Sequence, residues 1–340
     1  MHLAYRRVSR SVAYRFRKGR STMFQHILVP LDGSPLAERI LLFMSRMAQV
    51  MGKRLTLLRV LEKPELFACA GPIDPLEWQL CRVEAESYLA TMAQRLQEEG
   101  LEADYVLLEG DPANTIIEFI HGQDVDLILA SSHGRSGLTG WNAGSVMQKV
   151  LARAHISVMI IRGYNLVREE SEIAPLRKIL VPLDGSKRSE CALAPAVRLS
   201  QFCQASLLLA HVVHRPEMPR RTPLTPEDLE LAGRIIARNQ EEGWRYLEFI
   251  KSQIEGDVQT NLSVSDDVAA SLHDLVREED VDLVALCAHG YSGKARWAYG
   301  GITTSFVDYG TTPLLIVQDM PATRTEVTKA ELAARESKGH

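Results

Sequence analysis

The stretch "HILVPLDGS" at residues 26–34 returns as "KILVPLDGS" at 178–186, with eight consecutive residues identical. A second pair follows in the same order: "DVDLILASSHGRSG" at 124–137 and "DVDLVALCAHGYSG" at 280–293. The first pair is offset by 152 positions and the second by 156, so four extra residues lie between the two markers in the second copy. The chain is therefore a duplication of a unit of about 150 residues. The expected organisation is a basic extension over 1–22, a first domain over 23–162, a linker over 163–177, a second domain over 178–319, and a polar tail over 320–340.

Working outward from the repeated stretch, each half alternates short apolar runs with longer amphipathic segments. In the first half the runs at 26–31, 54–61, 103–108, 125–130 and 157–162 are near-continuous in Val, Ile and Leu. Such runs suit strands that are covered on both faces. Helix starts stand between them: Ser34-Pro35, Asp74-Pro75-Leu76-Glu77 and Asp111-Pro112, with Gly52 where the first helix should stop. In the second half Thr225-Pro226-Glu227-Asp228 opens a long helix to about Ile254, and Pro195 should kink or shorten the helix after Ser189. Alternating βαβ units predict a doubly wound, five-stranded parallel sheet in each half, an α/β fold with right-handed crossovers.

Bulk composition narrows the function classes. The chain has 340 residues, 46% of them hydrophobic and 24% charged, with a formal net charge of −4. These are values of a soluble globular protein, and they give no electrostatic footing for nucleic-acid binding. No apolar run approaches the ~20 residues of a membrane helix. The five cysteines are scattered and form no CxxC pair, which points to reduced thiols in a cytoplasmic compartment rather than a disulfide framework or a zinc site. Residues 1–22 carry seven Lys or Arg and no acidic residue. Three readings stay open for them: a disordered basic tail, a transit peptide, or a segment upstream of a true start at Met23.

In doubly wound sheets ligands bind beyond the carboxyl ends of the strands, where strand order reverses. The first strand ends in Pro30-Leu31-Asp32-Gly33-Ser34, and the fourth ends at Ser131 and enters "SSHGRSGLTGWNAGSV" (131–146). That stretch supports two readings, a plain loop with turn glycines or a phosphate cradle ending on a helix N-terminus. A helix start offers unpaired N–H groups and partial positive charge, glycines let backbone approach closely, and the Ser145 hydroxyl can donate to phosphate or cap the helix. Asp32 is placed to accept from ribose hydroxyls or to stabilise the next helix. The pattern is neither a Walker A loop nor GxGxxG.

The spacing G-x2-G-x9-G-[ST] after a strand, with "VPLDGS" ending the first strand, resembles the universal stress protein family. The likeness covers about 24–162 and 176–318, nearly the whole chain. It implies two flavodoxin-like domains in tandem, paired through "ISVMIIRG" and "TPLLIVQDM" as a pseudo-dimer, with a further homodimer of whole chains. For the nucleotide-binding branch it implies ATP, with or without Mg2+. By that resemblance Pro30, Leu31 and Asp32 line the ribose side, Val60 offers backbone to adenine, and Gly134, Gly144 and Ser145 hold the phosphates beside Val146. Ser131 stands where the pattern has its first Gly. In the second half Asp184, Val212, Gly290 and Gly300 are retained, but Cys287 replaces the first Gly and Gly301 replaces the Ser/Thr. A lost donor against buried phosphate is worth about 1–3 kcal/mol, so ATP is expected in the first half and weakly or not at all in the second.

Other residues invite chemistry with less support. His133 and His289 precede repeated glycines, without a nucleophile or metal-ligand set, and read better as loop histidines bonded locally or against the neighbouring domain. Arg135, and Lys294 and Arg296 in the second half, are either phosphate partners or solvated loop charges. Trp141 and Trp297 pack under their loops or at an interface, and Cys287 reads as buried and inert. No residue is assigned a catalytic role, and any hydrolysis of ATP would be slow. The expected function is a stress-response regulator or adaptor with unknown protein partners; a nucleotide-free scaffold, an apolar-ligand carrier and a slow ATP-hydrolysing or adenylating enzyme remain as alternatives.

Overall fold

A computed structural model describes residues 23–52, 54–62, 74–131, 145–162, 167–169, 172–173, 176–217, 225–291 and 299–319. The first half runs β1 (His26–Pro30), α1 (Pro35–Met51), β2 (Arg54–Leu61), α2 (Pro75–Glu98), β3 (Glu102–Glu109), α3 (Pro112–Gly122), β4 (Leu127–Ser131), α4 (Ser145–Ala154) and β5 (Ser157–Ile161). A two-stranded hairpin, β6 (Val167–Glu169) and β7 (Glu172–Ile173), falls between the halves. The second half runs β8 (Lys178–Pro182), a 3-10 turn (Ser189–Ala192), α5 (Leu193–Cys203), β9 (Ser206–His214), α6 (Pro226–Ser252), β10 (Val258–Ser265), α7 (Val268–Glu278), β11 (Leu283–Cys287), α8 (Gly301–Tyr309) and β12 (Leu314–Val317).

The helix starts form as their residues dictate. Asp74, Asp111 and Asp267 each accept a backbone N–H of the first turn, and Thr225 and Asp228 make a full reciprocal capping box. Pro195 turns out not to be interior. The backbone takes a 3-10 turn first, so Pro195 occupies the first α-turn of α5, where its missing N–H has no intrahelical acceptor. The cost is length: α5 has 11 residues against the 17 of α1. Gly52 follows α1, and its role is close approach: a Cβ there would lie 2.9 Å from the Phe24 carbonyl oxygen.

Within each half the strands are parallel, in the order β3-β2-β1-β4-β5 and β10-β9-β8-β11-β12. Successive residues of a strand face opposite sides, so Leu28 and Val29 enter different apolar layers. Val29 and Leu57 pack with Phe43 of α1 and Leu89 of α2, in a layer that continues through Val181, Val197 and Leu247 of the second half. Leu28 and Ile128 pack with Ile116 of α3 and Val150 of α4, in the opposite layer with Leu180, Leu272 and Phe306. The repeated "DVDL" has a mechanical role. The Asp126 carboxylate accepts the N–H groups of Gln25 and His26 at 2.7 and 3.0 Å, and Asp282 accepts those of Arg177 and Lys178 at 2.8 and 2.9 Å. Each carboxylate thereby fastens the start of its half's first strand to the start of the fourth.

The two sheets join where the resemblance implied. β5 and β12 pair antiparallel, with Ile160 opposite Leu314, Met159 opposite Leu315 and Val158 opposite Ile316, giving one ten-stranded sheet. The strands that would end each separate sheet are thus central, and β3 and β10 are its edges. Arg162, directly after β5, is fully buried and donates through Nη2 to the Phe306 and Val307 carbonyls of α8, each at 3.0 Å. Among the described residues no helix is long and apolar enough to cross a membrane.

Candidate functional site: two crevices at the strand ends

In both halves the first strand turns off in the same way. Asp32 Oδ1 accepts the Ser34 N–H at 2.9 Å, and Asp184 Oδ1 accepts the Ser186 N–H at 2.9 Å. The residue between must adopt a left-handed backbone, φ +79° at Gly33 and +80° at Gly185, which glycine takes without strain. This is the physical content of the repeated "DGS". Pairing of β1 with β4, and of β8 with β11, brings each aspartate beside the end of the fourth strand.

The second half shows a crevice of about 320 Å3 at this point, at the lower end of small-molecule pockets. Asp184, Val212, Gly290 and Gly300, four of the residues singled out in the sequence, line it together with Cys287, His289 and Thr303. Asp184 Oδ2 accepts the Tyr291 N–H at 2.6 Å. A Cβ on Gly290 would collide with that same oxygen, so only glycine permits the approach. Burial by itself would raise the Asp184 pKa, but hydrogen bonds from Ser186, Tyr291 and Ser189 outweigh it and hold the carboxyl below its ordinary value. Its oxygens therefore accept from the protein's own backbone and serine hydroxyls.

The donors expected of a phosphate cradle are also partly engaged. Helix α8 starts at Gly301 with Gly300 as an N-cap that makes no side-chain cap, and the Gly300 N–H donates to the Ala288 carbonyl at 2.8 Å. Thr303, buried in the first turn, gives its hydroxyl to the Cys287 carbonyl at 2.9 Å. The helix does not start later, so neither Thr303 nor Thr304 takes the place of the missing Ser. His289 bonds within its own half. Its Nδ1 donates to Asp319 Oδ1 at 2.7 Å, and Arg188 pairs with Asp319 Oδ2 at 3.4 Å.

In the first half Pro30, Leu31, Asp32 and Ser131 stand at the ends of β1 and β4, Val60 near the end of β2, and α4 begins at Ser145. Val60 and Val146 are half-buried against the apolar layer beneath. Gly134, Arg135 and Gly144, with His133 and Trp141, lie outside the described residues, as do Lys294, Arg296 and Trp297 of the second loop.

Sequence reasoning missed Arg59. Its guanidinium lies against Gly33, 3.1 Å from where a Cβ would be, and 5.6 Å over the Tyr88 ring centroid. The equivalent residue of the second half is His211, whose Nδ1 donates to the Leu183 carbonyl at 2.8 Å. Aligning "LLRVL" with "LAHVV" would have exposed this position, since a polar residue interrupts the same apolar strand in both copies. Asp319, Arg188 and Cys191 carried no such signal, because only the fold brings Asp319 and Cys191 against the crevice residues His289 and Cys287, and Arg188 against Asp319.

The profile of the universal stress protein family matches residues 23–162 and again 175–318. A universal stress protein of Thermus aquaticus is 31% identical over 144 residues, covering 41% of this chain and all of that protein. One from Mycobacterium tuberculosis is 23% identical over 299 residues, covering 86% of this chain and 96% of its own length. The crystal structure of a universal stress protein from Archaeoglobus fulgidus superposes with a TM-score of 0.61 at 18% identity, over 87% of this chain and 98% of that one. With the repeated "VPLDGS" strand end, the parallel doubly wound halves and two separate matches, the chain belongs to the universal stress protein family as a tandem of two of its domains.

Proposed function

We propose that this tandem protein binds ATP in its first half, binds it weakly or not at all in its second, and acts as a stress-response regulator with little or no catalysis. Nucleotide occupancy would order the loop between β4 and α4 and so alter contact with a protein partner, and a homodimer of whole chains would present that loop twice. The observation that carries this reading is the first switch point, where the β1–β4 pairing brings Asp32 beside the end of β4 at Ser131, and α4 begins at Ser145. The asymmetry is supported by the start of α8, where Gly301 stands in place of the Ser and Gly300 caps the helix without a side chain. Among the described residues no three of His, Cys, Asp and Glu cluster to hold a metal, so a Mg2+ ion here would ride on the phosphates. The apolar part of the second crevice, Val212, Val268, Leu272, Leu286 and Ile302, favours a second reading for that half alone, as a site for an apolar ligand.

Calorimetric titration of the full chain with ATP tests the proposal. One tight site per chain is expected, weakened about fivefold or more by Ser145→Ala, as loss of one donor to phosphate implies. Gly301→Ser should strengthen binding at the second site, since a Cβ at Gly301 meets nothing within 4 Å. Two equal tight sites, no binding, or an unchanged affinity in Ser145→Ala would each overturn the assignment.

A further inference from the structure

Two cysteines 96 positions apart in sequence meet at the wall of the second crevice. Cys191 lies in the 3-10 turn after β8, and Cys287 is the last residue of β11. Their sulfurs stand 2.7 Å apart and both are free thiols. A disulfide holds its sulfurs at about 2.05 Å, so closure needs only a small side-chain rotation. The other cysteines have no such neighbour among the described residues: Cys81 is exposed, and the nearest sulfur to Cys203 is Met47 Sδ at 3.8 Å.

The pair has an internal division of roles. The Cys191 thiol donates to the Cys287 sulfur, and this bond, with burial and the nearby Asp319 charge, pushes the Cys191 pKa up. Of the two sulfurs, Cys287 is the one that lines the crevice, and so the one presented for attack. Cys287 is 6% exposed, but it lines the crevice, so a small oxidant reaches it from there.

We propose that Cys191 and Cys287 form a reversible redox disulfide, with a hydroperoxide as oxidant. The Cys287 sulfur attacks the peroxide oxygen, the O–O bond breaks, and the departing oxygen takes the Cys287 proton and leaves as water from hydrogen peroxide, or as an alcohol from an organic hydroperoxide, giving a sulfenic acid. The Cys191 sulfur then attacks the sulfenic sulfur. The S–S bond forms, and the hydroxyl leaves as water with the Cys191 proton. With hydrogen peroxide the balance is two thiols oxidised by two electrons, one peroxide reduced and two waters formed. A dithiol reverses it. The closed bond ties the turn that bears Ser189, itself a crevice residue, to the end of β11.

The test uses reduced full-length protein treated with near-stoichiometric hydrogen peroxide, alkylated, digested and mapped by mass spectrometry. Expected is a peptide pair linked through Cys191 and Cys287, with free thiols falling by two from the five in the sequence and restored by dithiothreitol. Cys191→Ser, which keeps the attacking sulfur, should instead accumulate a Cys287 sulfenic acid that a 1,3-dione traps. Oxidation of Cys81 while Cys191 and Cys287 still alkylate would overturn the proposal, as would over-oxidation of Cys287 in the wild-type protein without a link to Cys191. Neither result depends on nucleotide, so the outcome is separate from that of the ATP titration.

Discussion

At Asp184 a single ionisation is coupled to folding. Its folded pKa lies below the ordinary 3.8 because the hydrogen bonds from Ser186, Tyr291 and Ser189 favour the carboxylate. A lowered folded pKa contributes stability that is fully present above the unfolded value and disappears as pH falls through the folded one. Urea denaturation of the wild-type chain between pH 7 and pH 3 should therefore show a loss of stability below about pH 4–5, and Asp184→Asn should lose less over the same interval. Parallel curves for the two proteins would show that the carboxylate bonds are not coupled to folding. The same scale shows what sequence discloses and what it withholds. The duplicated "DGS" pointed to Asp32 and Asp184, whereas "DVD" served in the sequence only as a marker of the duplication. Only coordinates separate the jobs, since Asp126 and Asp282 clamp strand starts at the edge opposite the crevice. Arg59 was hidden by its own context, an apolar strand in which one cation looked like an ordinary surface residue.

Helix α8 is the element on which the second crevice turns. Its first turn is moored by Thr303 to the last carbonyl of β11. Thr303→Val keeps the shape and deletes the donor, so it should cost about 1–3 kcal/mol in urea denaturation, the penalty of a buried carbonyl left without its partner. Unchanged stability would mean that the carbonyl finds another donor. Elements of this kind were largely legible beforehand. Strands covered on both faces must be apolar throughout, and helices starting at Asp-Pro or Thr-Pro announce themselves, so β1 to β5 and the starts of α2, α3 and α6 follow from composition and caps. The 3-10 turn at Ser189–Ala192 was not legible. It reflects a choice between two ways of accommodating Pro195, a kink inside a long helix or a later start, and tertiary packing makes that choice. The meeting of Cys191 with Cys287 follows from that turn, which is why spacing alone implied inert, scattered thiols.

For the whole molecule, Arg162 joins the halves beyond the strand pairing, as does Ser157, whose hydroxyl accepts the Gln318 N–H at 3.1 Å. The buried Arg162 guanidinium grips the last-turn carbonyls of α8, where a cation also meets the negative end of the helix dipole. Arg162→Ala should lower the stability of the full chain by about 1.5–3 kcal/mol, as expected for hydrogen bonds to a charged group, measured by chemical denaturation. A midpoint equal to that of the parent would show that this guanidinium adds nothing to the join between the halves. That seam has a geometric consequence. Because β5 and β12 run in opposite directions while every other neighbouring pair in the ten-stranded sheet runs the same way, the carboxyl ends of one half point away from those of the other. The second-half crevice and the strand ends of the first half therefore lie at opposite margins of the slab, so no single small molecule bridges Asp32 and Asp184. Two molecules docking at these margins would approach from opposing sides without collision.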